Sequence, residues 1–307
     1  MPGKILICGP SNAAVDEIIR KVLAEGLLDS QGKRFDPQLV RVGDNFDKTL
    51  ENVSLEYLAS QELVRNQKED IVFYRNKILK NCKIVCATLS AAGHQFIYSS
   101  GIEFDTVVVD EACQAVEVST LIPLLYGCRR LILIGDPNQL PSTVFSRMCI
   151  RQGYDQSLFE RMMKCGCPVS MLRTQYRMHP DISRVIGNVF YNGLLQDSAS
   201  VLNELTKNQL YENFAPFMFV HVPRSSESKF KRSFRNTIEG KVVRLFGQMM
   251  KDYGCTDIGV LSPYSQQINY LESLQLPKCC EIKTIDSFQG REKSVIIFNT
   301  VRAGLKG

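Results

Sequence analysis

Between Phe104 and Val144 the chain carries two short apolar runs that each end in carboxylates, and this stretch limits the possible folds more than any other. The first run is Phe104, Asp105, Thr106 and three valines, Val107 to Val109, with Asp110 and Glu111 directly after it. The second, Leu131 to Ile134, leads into Gly135-Asp136-Pro137-Asn138-Gln139-Leu140-Pro141. Neither run alternates with polar residues, which is the pattern of strands covered on both faces. They imply a parallel sheet under helices, and such sheets bind ligands beyond the carboxyl ends of their strands. Asp110, Glu111, Asp136 and Gln139 are therefore candidates for one site. A carboxylate at a strand end suits Mg²⁺, which prefers hard oxygen ligands alongside substrate phosphates. A neighbouring carboxylate orients or deprotonates an attacking water, and an amide such as Gln139 reports on the terminal phosphate. An acidic pair alone would read as favourable charge at the start of the next helix. The second strand, with its own carboxylate, makes hydrolysis of a nucleoside triphosphate the stronger reading.

A chain of 307 residues favours two domains over one. Hydrophobic content of 44% and charged content of 22% provide an ordinary globular core. The net charge of +5 permits nucleic-acid binding without establishing it. No apolar run approaches the ~20 residues of a membrane span, and no signal peptide, repeat or low-complexity tract is visible. The eleven cysteines lack paired zinc-type spacings. Cys8 and Cys86 sit within apolar strands as small hydrophobes. Cys165-Gly166-Cys167 and Cys279-Cys280 each lack a second half, which leaves reduced, intracellular thiols as the reading.

Along the chain, residues 4 to 8 read as a strand, and Val15, Ile18, Ile19, Val22 and Leu23 then recur at helical spacing. Ser11 or Asn12 caps that helix, Asp16 and Glu17 fall in its first turn, and a helix start also offers amides to an anion. Residues 27 to 80 are polar and charged, with helical patterning from Leu55 to Lys80 and Lys68 among the cations. Residues 84 to 90 read as a strand ending in the hydroxyls Thr88 and Ser90. Later strands are expected at 217–222, 258–264, 281–285 and 294–301, with a helix at 236–251 among those between them, implying a second parallel α/β unit. The basic stretch 229–235 interleaves charge with Phe230 and Phe234, which suits single-strand binding, although a solvated loop is the first reading.

Together these strings resemble the superfamily-one helicases, and within them the senataxin-like branch. Asp110-Glu111-Ala112-Cys113-Gln114 looks like motif II, and Gly135 to Val144 like motif III, with Ser142 where a proline is usual. Pro10 to Glu17 is similar to motif Ia, Gln175-Tyr176-Arg177-Met178-His179-Pro180 to the phosphate-reaching motif, and Thr284 to Glu292 to motif V. The resemblance implies two RecA-like parallel-sheet domains at 1–170 and 171–307, with a small helical insertion at about 27–82. That insertion is either an accessory subdomain touching nucleic acid or a solvated helical hairpin. ATP and Mg²⁺ are the implied cofactors. Asp110 would hold the metal, with Asp110, Glu111, Gln139 and Arg177 catalytic and the nucleotide lying in the cleft between the domains. Asp136, Gln175, Tyr176, Gly290 and Glu292 would contact the nucleotide. Ser11, Asn12, Thr88, Ser90, Pro263, Tyr264, Thr284, Asp286 and Ser287 would contact single-stranded RNA or DNA, and His179 is structural. The branch moves 5′-to-3′, unwinds duplexes and RNA–DNA hybrids, and implies nuclear work in transcription termination, with a cytoplasmic role as the alternative.

Two family elements do not occur in these residues. No Gly-x-x-x-x-Gly-Lys-Thr/Ser loop is present, and Pro2-Gly3-Lys4 precedes a strand rather than a helix. The final arginine-bearing motif is also absent. The chain is therefore expected to be either a helicase core truncated at both ends or a non-catalytic nucleic-acid-binding relative. A Mg²⁺-dependent nuclease using Asp110, Glu111 and Asp136 is the remaining alternative.

Overall fold

The valine run forms a strand, Thr106–Val109, and it pairs in parallel on both sides. It belongs to a sheet of β1 (Ile5–Gly9), β2 (Leu39–Val42), β3 (Ile84–Thr88), β4 (Thr106–Val109) and β5 (Arg130–Leu133). Their spatial order is β2-β3-β1-β4-β5, every pair parallel. The computed structural model describes residues 3–66, 69–205 and 210–303, so Pro2 and Lys68 lie outside the described residues. The chain divides into two compact units, Met1–Val169 and Ser170–Gly307, and this sheet is the frame of the first.

Alternate strand residues turn to opposite faces, and helices cover both. Leu6, Cys8, Val85, Ala87, Val107 and Val109 enter one core cluster with Phe104 and Leu79. Ile84 and Cys86 enter another with Val15, Ile19 and Leu50. Strand β5 departs from the expectation of burial on both faces. It ends the sheet with β4 as its neighbour, and Leu131, Ile132 and Ile134 remain 36%, 41% and 44% exposed.

Helix α1 (Asn12–Glu25) starts one residue after Ser11, whose hydroxyl accepts from the Ala14 amide at 3.2 Å. Asp16 therefore falls beyond the first turn and is buried. The segment expected as an insertion is only partly one. It supplies β2, and outside the sheet it forms α2 (Leu55–Asn66) and α3 (Ile71–Asn81), which pack on each other. The apolar residues around Arg41 draw that strand into the sheet despite the charge-rich flanks.

In the second unit, β6 (Ile258–Ser262), β7 (Cys280–Thr284) and β8 (Val295–Phe298) form a parallel sheet ordered β7-β6-β8. Helix α4 (Thr237–Asp252), capped by the Asn236 side chain, contributes Val243 and Met250 to its core, and α5 (Ser265–Ser273) contributes Leu271. The sequence predicts a strand at 217–222, and the structure has none there; Phe217 and Phe219 are 73% and 82% exposed. The composition is strand-like, but without a ladder partner an extended segment gains no sheet hydrogen bonds. The basic stretch is a hairpin rather than a loop, pairing Ser228–Phe230 with Ser233–Arg235. Its rings are covered by arginines of the same unit, Arg235 lying 4.5 Å over Phe230 and Arg302 4.4 Å over Phe234. No helix of the described residues is long and apolar enough to cross a membrane.

Candidate active site

In the first unit, the chain leaves β1 toward β2 on one side of the sheet and leaves β4 toward β5 on the other. Connections that diverge in this way open a crevice beyond the strand ends, here between β1 and β4. Asp110 follows β4, and its amide donates to the Cys8 carbonyl of β1 at 2.8 Å, joining the two ends. Burial is the main influence on its carboxyl and pushes it above the usual range, against the opposing effects of the Glu111 amide and the Lys21 charge.

Glu111 takes φ 51° and ψ 39°, a left-handed conformation that is unfavourable for a residue with a Cβ. Such strain persists where the surroundings enforce it, often at functional sites. Here the next amide, that of Ala112, donates to Ile134 at 2.8 Å, and Gln114 Nε2 donates to the Glu111 carboxylate at 2.5 Å. Gly135 lies against this turn. A Cβ there would stand 2.9 Å from Cys113 Sγ and 3.0 Å from the Cys113 nitrogen, so only glycine lets the two strand ends meet. Beyond it, Asp136 accepts from the Asn138 amide at 3.0 Å and from Gln139 Nε2 at 2.9 Å. Asp110, Glu111, Asp136 and Gln139 thus share one sheet edge. Cys113 sits among them, but burial and then the Glu160, Asp136 and Glu111 charges raise its thiol to about 12, so it stays protonated at neutral pH and is no nucleophile.

The same edge carries the residues expected to meet a nucleic-acid strand. Thr88 ends β3, opposite Gly9 of β1, and its hydroxyl accepts from the Ala91 amide at 3.1 Å. Ser90 follows in that turn and is exposed. Ser11 and Asn12 follow β1, and Asn12 Oδ1 accepts from Arg41 Nη2 at 2.6 Å. Arg41 escaped the reading of the sequence, where it counts as one more charge in a polar segment. Its only signal is position, a lone cation inside Leu39-Val40-Arg41-Val42.

In the second unit, Gln175 organises the Gln-Tyr-Arg-Met turn. Its Oε1 accepts from the amides of Arg177 at 2.8 Å and Met178 at 2.7 Å. Its Nε2 donates to the Met178 carbonyl and to Asp197 Oδ1, both at 2.7 Å. A direct bond from Gln175 to a nucleotide would have to replace one of these four. Tyr176 is 72% exposed. Arg177 Nε donates to Glu292 Oε2 at 2.6 Å, joining two expected nucleotide contacts 115 residues apart. Gly290, two residues before Glu292, has φ 78°, which glycine adopts without strain. His179 caps the helix Pro180–Phe190, its Nδ1 accepting from the Asp181 amide at 3.1 Å.

The remaining expected contacts follow β6 and β7. Pro263 is exposed, while the Tyr264 ring packs edge-on to Phe234 at 5.3 Å. Thr284 caps the turn Ile285–Phe288; its Oγ1 lies 2.9 Å from Ser287 Oγ, and Asp286 is exposed beside them. Among the described residues no three His, Cys, Asp or Glu side chains are grouped as a metal cage.

A parallel sheet sandwiched between helices, with acids at its carboxyl edge, defines a RecA-like α/β fold of the nucleotide-hydrolysing class. An AAA domain family model matches residues 154–307, and a second AAA domain model matches residues 1–73 and 58–147. The chain is 36% identical to the probable helicase MAGATAMA 3 of Arabidopsis thaliana, across 99% of its own length and 40% of that protein. A probable helicase of Dictyostelium discoideum is 38% identical across 98% of this chain and 34% of its own. Helicase SEN1 of Saccharomyces cerevisiae is 34% identical across 98% of this chain and 18% of its own. The chain belongs to the AAA-domain family of superfamily-one helicases, in the senataxin-like branch. It spans less than half the length of the curated relatives it matches.

Proposed function

We propose that this chain is the motor core of an ATP-dependent helicase, coupling ATP hydrolysis to movement along single-stranded RNA or DNA and to unwinding, RNA–DNA hybrids included. The observation that supports it best is the convergence of Asp110, Glu111, Asp136 and Gln139 on one sheet edge beside a topological switch point. Asp110 would hold Mg²⁺ through its carboxylate, and the bound ion would offset charge on the phosphates. Glu111 orients the attacking water and takes its proton. Gln139, held by Asp136, contacts the terminal phosphate. Arg177 neutralises charge on the transferring phosphoryl group, Tyr176 stacks on the base, Gly290 and Glu292 complete the nucleotide contacts, and Gln175 holds the turn that presents Arg177.

Ser11, Asn12, Thr88 and Ser90 in the first unit, with Pro263, Tyr264, Thr284, Asp286 and Ser287 in the second, line the strand path. The protein acts in the nucleus. The alternative is a non-catalytic nucleic-acid-binding relative. The two separate in an assay of phosphate release from ATP with and without single-stranded RNA. RNA-stimulated release that Glu111→Gln abolishes supports the motor. Salt-dependent RNA binding with release no faster than in Glu111→Gln would refute it and leave the binding relative.

A further inference from the structure

Arg41 is fully buried in β2, yet its guanidinium reaches three places. Nε donates to Asp16 Oδ1 at 3.1 Å, Nη1 donates to the Val42 carbonyl, and Nη2 donates to Asn12 Oδ1 at 2.6 Å. Asp16, itself buried, uses its second oxygen to accept from the Asp47 amide at 2.9 Å. Neither charge can leave without stranding its partner, so the cluster is rigid.

A guanidinium carries five donors and no acceptor. The Asn12 atom facing it must be the carbonyl oxygen, because the flipped amide would set donor against donor and orphan a buried cation. The Asn12 amide nitrogen is consequently turned away from Arg41, on a half-exposed residue that begins α1 three positions after β1, and has no hydrogen-bond partner among the described residues. An unrestrained asparagine would offer an acceptor as readily as a donor. This one is held to a donor.

We infer that Arg41 is a positioning residue for nucleic-acid binding: it clamps the Asn12 carbonyl so that the amide N–H group meets a backbone phosphate. The inference rests on the proposal that Asn12 lies on the strand path. Phosphate oxygens only accept, so a fixed donor binds them and a fixed acceptor repels them.

The test is a double-mutant cycle on the 307-residue chain. Fluorescence anisotropy with a labelled oligouridylate reads affinity for wild type, Asn12→Ala, Arg41→Lys and the double variant, and far-ultraviolet melts report folding. Lysine keeps the charge beside Asp16 but cannot reach both partners. Asn12→Ala weakens binding by about threefold to tenfold, the worth of one hydrogen bond to a charged group. Arg41→Lys weakens it by a similar factor when Asn12 is present and has no effect when Asn12 is already alanine. A purely structural arginine would lower both backgrounds equally, and that result overturns the inference. Asn12→Asp supplies a control independent of Arg41 folding, since it still accepts from Arg41 but turns a carboxylate oxygen outward. It should bind more weakly than Asn12→Ala while melting no lower; equal or tighter binding overturns the inference as well. Wild-type protein that binds no oligouridylate would remove the strand-path proposal and this inference together, whereas binding without coupling removes this inference alone.

Discussion

The two units hold their candidate site residues in different ways. At the acidic edge of the first, the frame is backbone: Asp110 and Ala112 donate their amides to Cys8 and Ile134, Glu111 sits in a left-handed conformation, and Gly135 lacks the Cβ that would block the approach. In the second, the arginine turn is framed by a side chain, the Gln175 amide, which bonds the turn three times and Asp197 once. A site framed by backbone tolerates exchange of its side chains without moving. A site framed by one side chain depends on that side chain keeping its shape and both of its hydrogen-bonding ends. The contrast predicts where chemistry and structure can be separated by mutation and where they cannot.

The largest effect tests the backbone-framed side. Glu111→Gln removes the proposed proton acceptor but leaves the turn, and should lower RNA-stimulated phosphate release by about 10²–10⁴-fold with an unchanged melting curve. A melting shift as large as the activity loss would mean that the carboxylate, rather than the backbone, holds the edge. Gln175→Ala tests the other side. It leaves the Arg177 and Met178 amides without their acceptor and should lower release by about 10²-fold, because small misplacements of a catalytic group are that costly. Arg177→Ala added to Gln175→Ala should then cost little more, since the two act as one unit. Independent, multiplying losses would show that Gln175 has a nucleotide contact of its own.

A smaller, purely structural effect is expected at Gly135. Alanine there forces a Cβ to 3.0 Å from the Cys113 nitrogen, and overpacking of this kind costs about 1–3 kcal/mol. Chemical denaturation should show the first unit weakened by that amount and the second unaffected. Loss of RNA-stimulated release out of proportion to the unfolded fraction would indicate that the turn has moved and not merely loosened.

Much of this was legible because the relevant signals are local. Valine runs ending in acids announce a parallel sheet and its carboxyl edge, and Thr106–Val109 and Ile258–Ser262 both form as strands within two residues of expectation. What the sequence concealed depends on neighbours. Leu131 and Ile132 have the apolar character of an interior strand, but being interior is a property of the sheet order, and β5 lies last in it. Phe217 to Val222 has strand propensity without a strand to pair with. Arg41 shows the converse, a cation that belongs in the core only because Asp16, 25 residues earlier, is folded against it. The Gln175 frame was hidden for the same reason, since one of its four bonds goes to Asp197, 22 residues away.

The smallest effect refines the comparison most, because it concerns a group whose charge the fold disfavours. Burial raises the Asp110 carboxyl above its unfolded value, near 3.9 for an unperturbed aspartate. Below the unfolded value the group is protonated in both states and makes no difference to stability. As pH rises through the folded value, the folded protein must ionise a carboxyl that burial opposes, and stability falls. Asp110→Asn removes that titration while preserving shape. The variant should melt with the wild type at acid pH and above it at neutral pH, while losing metal-dependent phosphate release. If the side chain were part of the frame, the asparagine protein would melt below the wild type at neutral pH, and the acidic edge would resemble the arginine turn after all. A stability gain coupled to a functional loss instead marks Asp110 as a charge kept in place by its surroundings for something other than holding the fold together.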